Sequence, residues 1–454
     1  MMTLDEVAMA VGAVPRDMSG RVDGVATDTR TMTPGCLFIA LRGARFDGHA
    51  FLKEAASRGA VAALTDRAPE SGWPPCLVVP DTRQALGRLA AYWRRKMRAK
   101  VLAVTGSNGK TSVKELTAGI LARGHRGIAT QGNINNDIGL PLTLLRLRPE
   151  HDYAVVELGM NRPGEIAALG ALAAPDAAVV TNAGSAHLEG LGTVEAVARE
   201  KGSLYSTLGG HGTAVINVDD GYASYWRGLA SGPILTYGLS GAADVSARFR
   251  LHGDGTDLSI RAPQWDSPLA ARLALLGRHN VANALAATAL ALTFGASREA
   301  IAEGLARAVP VNGRLESVHG FAGSRLIDDS YNANPDSARA ALEVLAGLAG
   351  ERWFVLGDMA ELGREAAAMH RAFGAAAASK VEHLWTLGPL AREAATAFGA
   401  GGRHYEDHET LSRDLKAALH ENAVVLVKGS RSMRMERIAS ALRAGGGSDV
   451  PVHH

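Results

Sequence analysis

Cysteine is nearly absent from this chain. Cys36 and Cys76 are the only two among 454 residues. Two thiolates cannot complete a zinc site and cannot frame a disulfide-stapled domain. A reducing compartment fits that usage. Net charge is nearly absent too, since 48 basic and 46 acidic residues leave +2. Such a balance makes no electrostatic case for a nucleic-acid or membrane partner. Long apolar runs are also missing. The most apolar stretch, Ala282 to Ala296, falls short of the ~20 residues that a spanning helix needs. The start, MMTLDEVAMAVGAVPRD, places acids early and has no cationic segment before an apolar core, so it does not read as a signal peptide. No internal repeat is visible. Together these absences predict a soluble cytoplasmic protein without membrane insertion.

What remains is a globular composition, 47% hydrophobic, 21% charged and 5% aromatic. The length implies two to four domains. Residues 1–98 mix short strands, CLFIAL (36–41) and CLVVP (76–80), with a helix in HAFLKEAASRGA. A second helical stretch carries Leu86, Leu89, Trp93 and Met97 at helical spacing and ends in Arg94, Arg95, Lys96, Arg98 and Lys100. Cations suit a helix C-terminus, and this run reads as a solvated face. From 101 the texture changes. VLAVTG, YAVVEL (153–158) and AAVVTN (177–182) are near-continuous apolar runs, each followed by loop and helix signals, as expected of buried parallel strands. TAVIN reads as a further strand, and GDGTDLSIRA as hairpin material. After Gly313 a new alternation begins with RLIDD, RWFVLG, EHLWTLG and AVVLVKG. The predicted fold is α/β in three domains, 1–98, 99–312 and 313–454, the central one a parallel-sheet ATPase-like domain and the last Rossmann-like. The tail GGGSDVPVHH reads as disordered.

The chemistry concentrates in Thr105-Gly106-Ser107-Asn108-Gly109-Lys110-Thr111, between a strand and a helix. Glycines there let backbone N–H groups point at phosphates, and the helix presents its positive end. Lys110 would reach the β and γ phosphates, and the Thr111 hydroxyl would bind magnesium. Val104 stands where the general pattern has glycine. Glu157 closes YAVVEL at the carboxyl edge, where open parallel sheets bind ligands; it reaches either a metal or plain water. His187 follows the third strand at the same edge. Residues 193–208 read as a helix with Val194, Val197, Ala198, Leu204, Tyr205 and Leu208 on one stripe. Lys201 falls on that stripe, either snorkelling to water or held functionally in a dry site.

TGSNGKT, ELGMN and AHLEGLGT, in this order, resemble the Mur ligases. GRHNVANALAA (277–287), GRLE (313–316) and DDSYNANP (328–335) extend the resemblance over almost the whole chain. RFDGHAF (45–51), NINNDIGLPLTLL (133–145), LGDMAELG (356–363) and KGSR (428–431) resemble the members that add a D-alanyl-D-alanine dipeptide. The Asp-Asn-Pro-Arg segment of diaminopimelate-adding members is absent.

The resemblance implies an ATP-dependent amide-bond ligase, acting on UDP-N-acetylmuramoyl-tripeptide and D-alanyl-D-alanine through an acyl phosphate. A monomer is expected. The first domain would bind the UDP-sugar through Asp28, Thr29, Arg30, Asp47, Gly48 and His49, with Asn135 and Asn136 from the second. ATP would sit on residues 105–111 and Ser112, with Asn280 and Asn283. Arg314 and Asp329 would close on it from the third domain. Thr111 and Glu157 would hold one magnesium ion. His187 and Lys201 would serve a second, the lysine carried as a carbamate formed with carbon dioxide. Lys110, Glu157, His187, Lys201 and Arg314 form the implied catalytic set, and Asn332, Asn334 and Arg431 would meet the dipeptide. Three positions depart from the family pattern: Thr29 where serine is common, Arg162 where many members have histidine, and Ser203 where glutamate is common. The alternatives are another Mur-type ligase or a folylpolyglutamate-type amide ligase. A P-loop switch ATPase is the rival from a different class.

Overall fold

The computed structural model describes residues 1–14, 19–43 and 46–445. Arg45 of RFDGHAF and nearly all of the tail expected to be disordered lie outside them. The central element is a six-stranded parallel sheet. Its order is Ile234–Tyr237, Thr213–Asn217, Ala177–Val180, Lys100–Thr105, Tyr153–Glu157 and Gly127–Ala129. The apolar runs predicted as buried strands fill its middle because both of their faces are covered. One face meets the helix Arg278–Phe294, apolar nearly all round and buried beneath the sheet. Among the described residues no helix is long and apolar enough to cross a membrane.

The other face is shared with the N-terminal elements. There a four-stranded parallel sheet runs Gly24–Ala26, Cys36–Ile39, Ala62–Thr65 and Cys76–Val78. The helix Thr82–Lys96 brings Leu86, Leu89 and Trp93 into one core with Leu140, Leu144 and Leu169 of the central region. The Trp93 indole N–H donates to the Leu147 carbonyl at 3.0 Å. The basic run ending this helix is not wholly a solvated face. Arg94 is buried, and its guanidinium donates to the carbonyls of Ala173 and Ala174 and to Asp176 at 2.9 Å. It satisfies the C-terminal carbonyls of the neighbouring helix Glu165–Ala173, groups that otherwise lack partners. Arg95 and Lys96 remain exposed as expected.

The stretch expected as a helix after residue 48 is a 3₁₀ turn, Gly48–Phe51, leading into Leu52–Ser57. The hairpin material pairs Ser246–His252 with Gly255–Arg261, and Leu269–Leu273 completes an antiparallel sheet. The C-terminal sheet runs Glu316–His319, Arg325–Asp329, Ala423–Lys428, Glu351–Gly357, His383–Leu387 and Gly402–Tyr405. Only the first of these strands is antiparallel. Its two faces carry separate apolar cores.

Candidate active site

The site forms where the carboxyl edges of the central and C-terminal sheets face each other. Thr105 ends its strand with its hydroxyl donating to the Leu158 carbonyl at 2.8 Å. The chain then turns through Gly106 and Gly109, at φ +146° and +83°. A Cβ on Gly106 would lie 1.8 Å from Thr181 Oγ1, and one on Gly109 would lie 2.3 Å from Asn283 Oδ1. Both positions therefore need glycine for space as well as for conformation. The Ser107 N–H donates to the Asn182 carbonyl and the Asn108 N–H to Asn182 Oδ1, each at 2.9 Å. The helix Lys110–Leu121 starts here and aims its free N–H groups at the loop. Lys110 curls back and donates to the carbonyls of Gly106 (2.7 Å) and Ser107 (3.3 Å). Burial pulls its pKa below the usual lysine value; Glu157 opposes that shift and Arg314 adds to it.

The loop stands between two clefts of about 950 Å³ and 470 Å³. Asn108, Gly109 and Arg314 line both. Ser112, Asn280, Asn283 and Asp329 line the smaller one. Asn280 donates to the Leu276 carbonyl and accepts from Asn283, both at 2.9 Å. Asp329 accepts from Lys428 at 2.6 Å and from the Leu315 N–H at 3.2 Å. Burial raises the Asp329 pKa, and Lys428 counters it.

Glu157, Asn135, Asn136, His187, Asn332, Asn334 and Arg431 line the larger cleft. Glu157 is 2% exposed. One of its oxygens accepts from Asn135 at 2.8 Å, and Oε2 is buried with no partner. Asn136 Oδ1 accepts from the Gly139 N–H at 2.9 Å, at the start of the helix Gly139–Leu145. The buried Thr111 hydroxyl accepts from Arg314 at 3.1 Å, and the Arg314 guanidinium stacks on Tyr331 at 4.3 Å. Lys201 lies on the helix Val194–Ser206 between Ala198 and Leu204 and is 1% exposed. It does not snorkel. Burial depresses its pKa well below the ordinary value, and nearby Lys110 adds to this. His187 Nδ1 lies 2.8 Å from Glu361 Oε2. No group of three or more His, Cys, Asp and Glu forms a ready metal cage among the described residues.

The remaining candidates are placed differently. Asp28 is paired with Arg30 at 2.7 Å, and Thr29 is buried. His49 is buried between Asp47 (2.6 Å) and Asp66 (3.1 Å). Asp47 has its pKa lowered to about 2 by hydrogen bonds from His49 and Arg67, against the opposing pull of desolvation. A Cβ on Gly48 would meet the Leu41 carbonyl at 2.7 Å. These six residues line neither cleft. Asn334 caps the helix Pro335–Ala346 through Ser337 and donates to Asn108 at 2.8 Å, so both of its side-chain polar atoms are engaged. Asn332 accepts from the Arg431 N–H at 3.3 Å.

Sequence reasoning missed several lining residues. Asn182 anchors the loop, and Asp336 accepts from the Ser185 N–H at 2.8 Å. Glu361 reaches His187 from the edge of the C-terminal sheet. Asn182 and Glu361 sat inside quoted segments, but no periodicity marks a residue whose partner comes from another domain.

Three family models match the chain: the Mur ligase family catalytic domain over residues 21–94, the Mur ligase middle domain over 104–291, and the Mur ligase glutamate ligase domain over 313–431. The chain belongs to the Mur ligase family, whose members are ATP-dependent enzymes that form amide bonds. It is similar to the UDP-N-acetylmuramoyl-tripeptide--D-alanyl-D-alanine ligase of Escherichia coli strain K12, at 44% identity over 94% of each chain. Among solved structures it resembles MurF from Acinetobacter baumannii, with a TM-score of 0.89 and 34% identity, covering 97% of this chain and 98% of that one. It also resembles MurF ligase from Thermotoga maritima in complex with ADP, with a TM-score of 0.82 and 27% identity, covering 94% and 98%.

Proposed function

We propose that this chain joins D-alanyl-D-alanine to UDP-N-acetylmuramoyl-tripeptide in the cytoplasm, as a monomer, at the expense of ATP. The observation that carries this reading is the loop at 105–111 standing between two clefts, with Lys110 from one domain and Arg314 from another converging on it. The smaller cleft takes the nucleoside, and Asn280 and Asn283 fix its wall. The larger cleft takes the two substrates to be joined. Asn332 and Arg431 bound it from the third domain, where the dipeptide enters. Asp28–Arg30 and Asp47–His49 serve the far, nucleotide end of the long UDP-substrate, consistent with their absence from the lining of both clefts.

A carboxylate and an amine do not condense near neutral pH without activation. The peptide carboxylate attacks the γ-phosphate, ADP leaves, and an acyl phosphate forms. The dipeptide amine then attacks that carbonyl and phosphate departs. Two anions must approach in the first step. Lys110, Arg314 and the loop N–H groups offset their repulsion, and positioning with electrostatics carries most of such a transfer.

The donor set suits hard cations. The orphaned Glu157 oxygen and the buried Thr111 hydroxyl are oxygen donors of the type that magnesium takes. They would hold one ion, and His187 with carbamylated Lys201 would hold a second. Bound there, magnesium would neutralise charge on the transferring phosphoryl group. Lys201 is prepared for carbamylation because only the neutral amine reacts with carbon dioxide, and burial favours that form.

Phosphate release tests the reading. It should require UDP-muramoyl-tripeptide and dipeptide together. Release indifferent to both would favour a switch ATPase.

A further inference from the structure

We propose that Glu361 is a positioning residue that sets the proton on His187 and ties the His187 metal site to closure of the third domain. This rests on the reading of His187 as a metal ligand. The His187 Nδ1 and Glu361 Oε2 atoms are 2.8 Å apart. An unprotonated ring nitrogen would set its lone pair against the carboxylate, so the proton resides on Nδ1. In the neutral ring Nε2 is then bare, and a bare imidazole nitrogen is what a metal takes, with the second nitrogen held by a carboxylate.

The pair is built deliberately on both sides. His187 and Glu361 both hold left-handed backbone, at φ +58° and +61°, a region that residues with a side chain rarely adopt. The Glu189 N–H also donates to the Glu361 carbonyl at 3.1 Å, so backbone and side chain bridge the same two segments. The segment carrying Glu361 is pinned within its own domain. The Asp358 carboxylate accepts from the Ala391 N–H at 2.7 Å, buried His370 accepts from the Met359 N–H at 2.9 Å, and Ser430 Oγ accepts from the Ala360 N–H at 2.6 Å. Glu361 is therefore delivered by the third domain as a rigid unit. With that domain swung away, His187 loses its partner. A metal ion that prefers the Nδ1-protonated ring then favours the closed form, and closure favours the ion by the same factor.

The test uses the full-length protein with ¹⁵N-labelled histidine and manganese(II) alone as the metal probe. The His187 signals are identified by their loss in His187→Ala. In the wild type, at a pH where the ring is neutral, they should report a protonated Nδ1 and a bare Nε2. Glu361→Ala should shift that tautomer, and should weaken manganese(II) binding at the site lost in His187→Ala by about 10–100-fold. Glu361→Gln, whose carbonyl still accepts from Nδ1–H, should retain the tautomer. This variant also serves as the check on folding. A Glu361→Ala protein with the wild-type tautomer, or with wild-type manganese affinity at that site, overturns the proposal. Ligation by the wild type is measured separately, so failure of the ligase reading is distinguishable from failure of this one.

Discussion

Two glycines at the ends of one helical segment should respond in opposite directions to the same added methyl group. Gly109 precedes the helix Lys110–Leu121 at φ +83°, and Gly119 lies inside it with nothing within 4 Å of an added Cβ. For Gly109→Ala the left-handed backbone costs about 1–2 kcal/mol. The new Cβ would also sit 2.3 Å from Asn283 Oδ1. Asn283 must move and give up its 2.9 Å bond to Asn280, a further ~0.5–1.5 kcal/mol. The sum, about 1.5–3.5 kcal/mol, corresponds to a fall in unfolding temperature of roughly 3–14 °C for a domain of this size. Ligation should fall on the order of 10²-fold, because the loop N–H groups proposed to meet the phosphates would be displaced. Gly119→Ala should instead stabilise by about 0.5–1 kcal/mol, the helix-propensity difference between the two residues. Its activity should be unchanged. Thermal unfolding followed by far-UV circular dichroism, with coupled phosphate release, reads both. Equal shifts for the two variants, or an active and stable Gly109→Ala, would refute the loop geometry.

Three further outcomes follow from the site. Lys110→Met keeps the stem and loses the ammonium, so turnover in the phosphate-release assay should fall about 10²–10³-fold while the fold persists; near-normal turnover would remove Lys110 from the mechanism. Arg314→Ala should retain ATP binding by calorimetry and lose most turnover, since Arg314 approaches Thr111 from the third domain; full activity would show that this approach is incidental. Lys201→Ala should be nearly inactive and partly rescued by formate or acetate, whereas Lys201→Arg, which keeps a cation in the site, should not be rescued; normal activity of the alanine variant would refute the carbamate.

Where a single segment carries its own signal, the sequence was readable. The buried strands at 100–105, 153–157 and 177–180 are continuous apolar runs, and the turn from strand to helix at 105–111 announces itself through glycines followed by lysine and threonine. Lys201 was flagged because one cation interrupted an apolar stripe, and its burial follows from that position. Edge strands such as Gly127–Ala129 and Gly402–Tyr405 escaped notice. They are short and partly exposed, and pairing with a neighbour defines them more than side-chain pattern does. Arg94 was misread because its acceptors, the carbonyls of Ala173 and Ala174, belong to a distant helix end. The contacts of His187 with Glu361 and of Asn108 with Asn334 were illegible for the same reason. They exist only once two sheets face each other.

The most direct test of the central claim is mass spectrometry of the product. Purified protein is incubated with ATP, magnesium, D-alanyl-D-alanine and UDP-muramoyl-tripeptides that differ in their third residue. A UDP-muramoyl-pentapeptide should accumulate, with one ADP and one phosphate released per molecule, and the rates should rank the third residues. ATP consumption with no pentapeptide from any tripeptide would contradict the account.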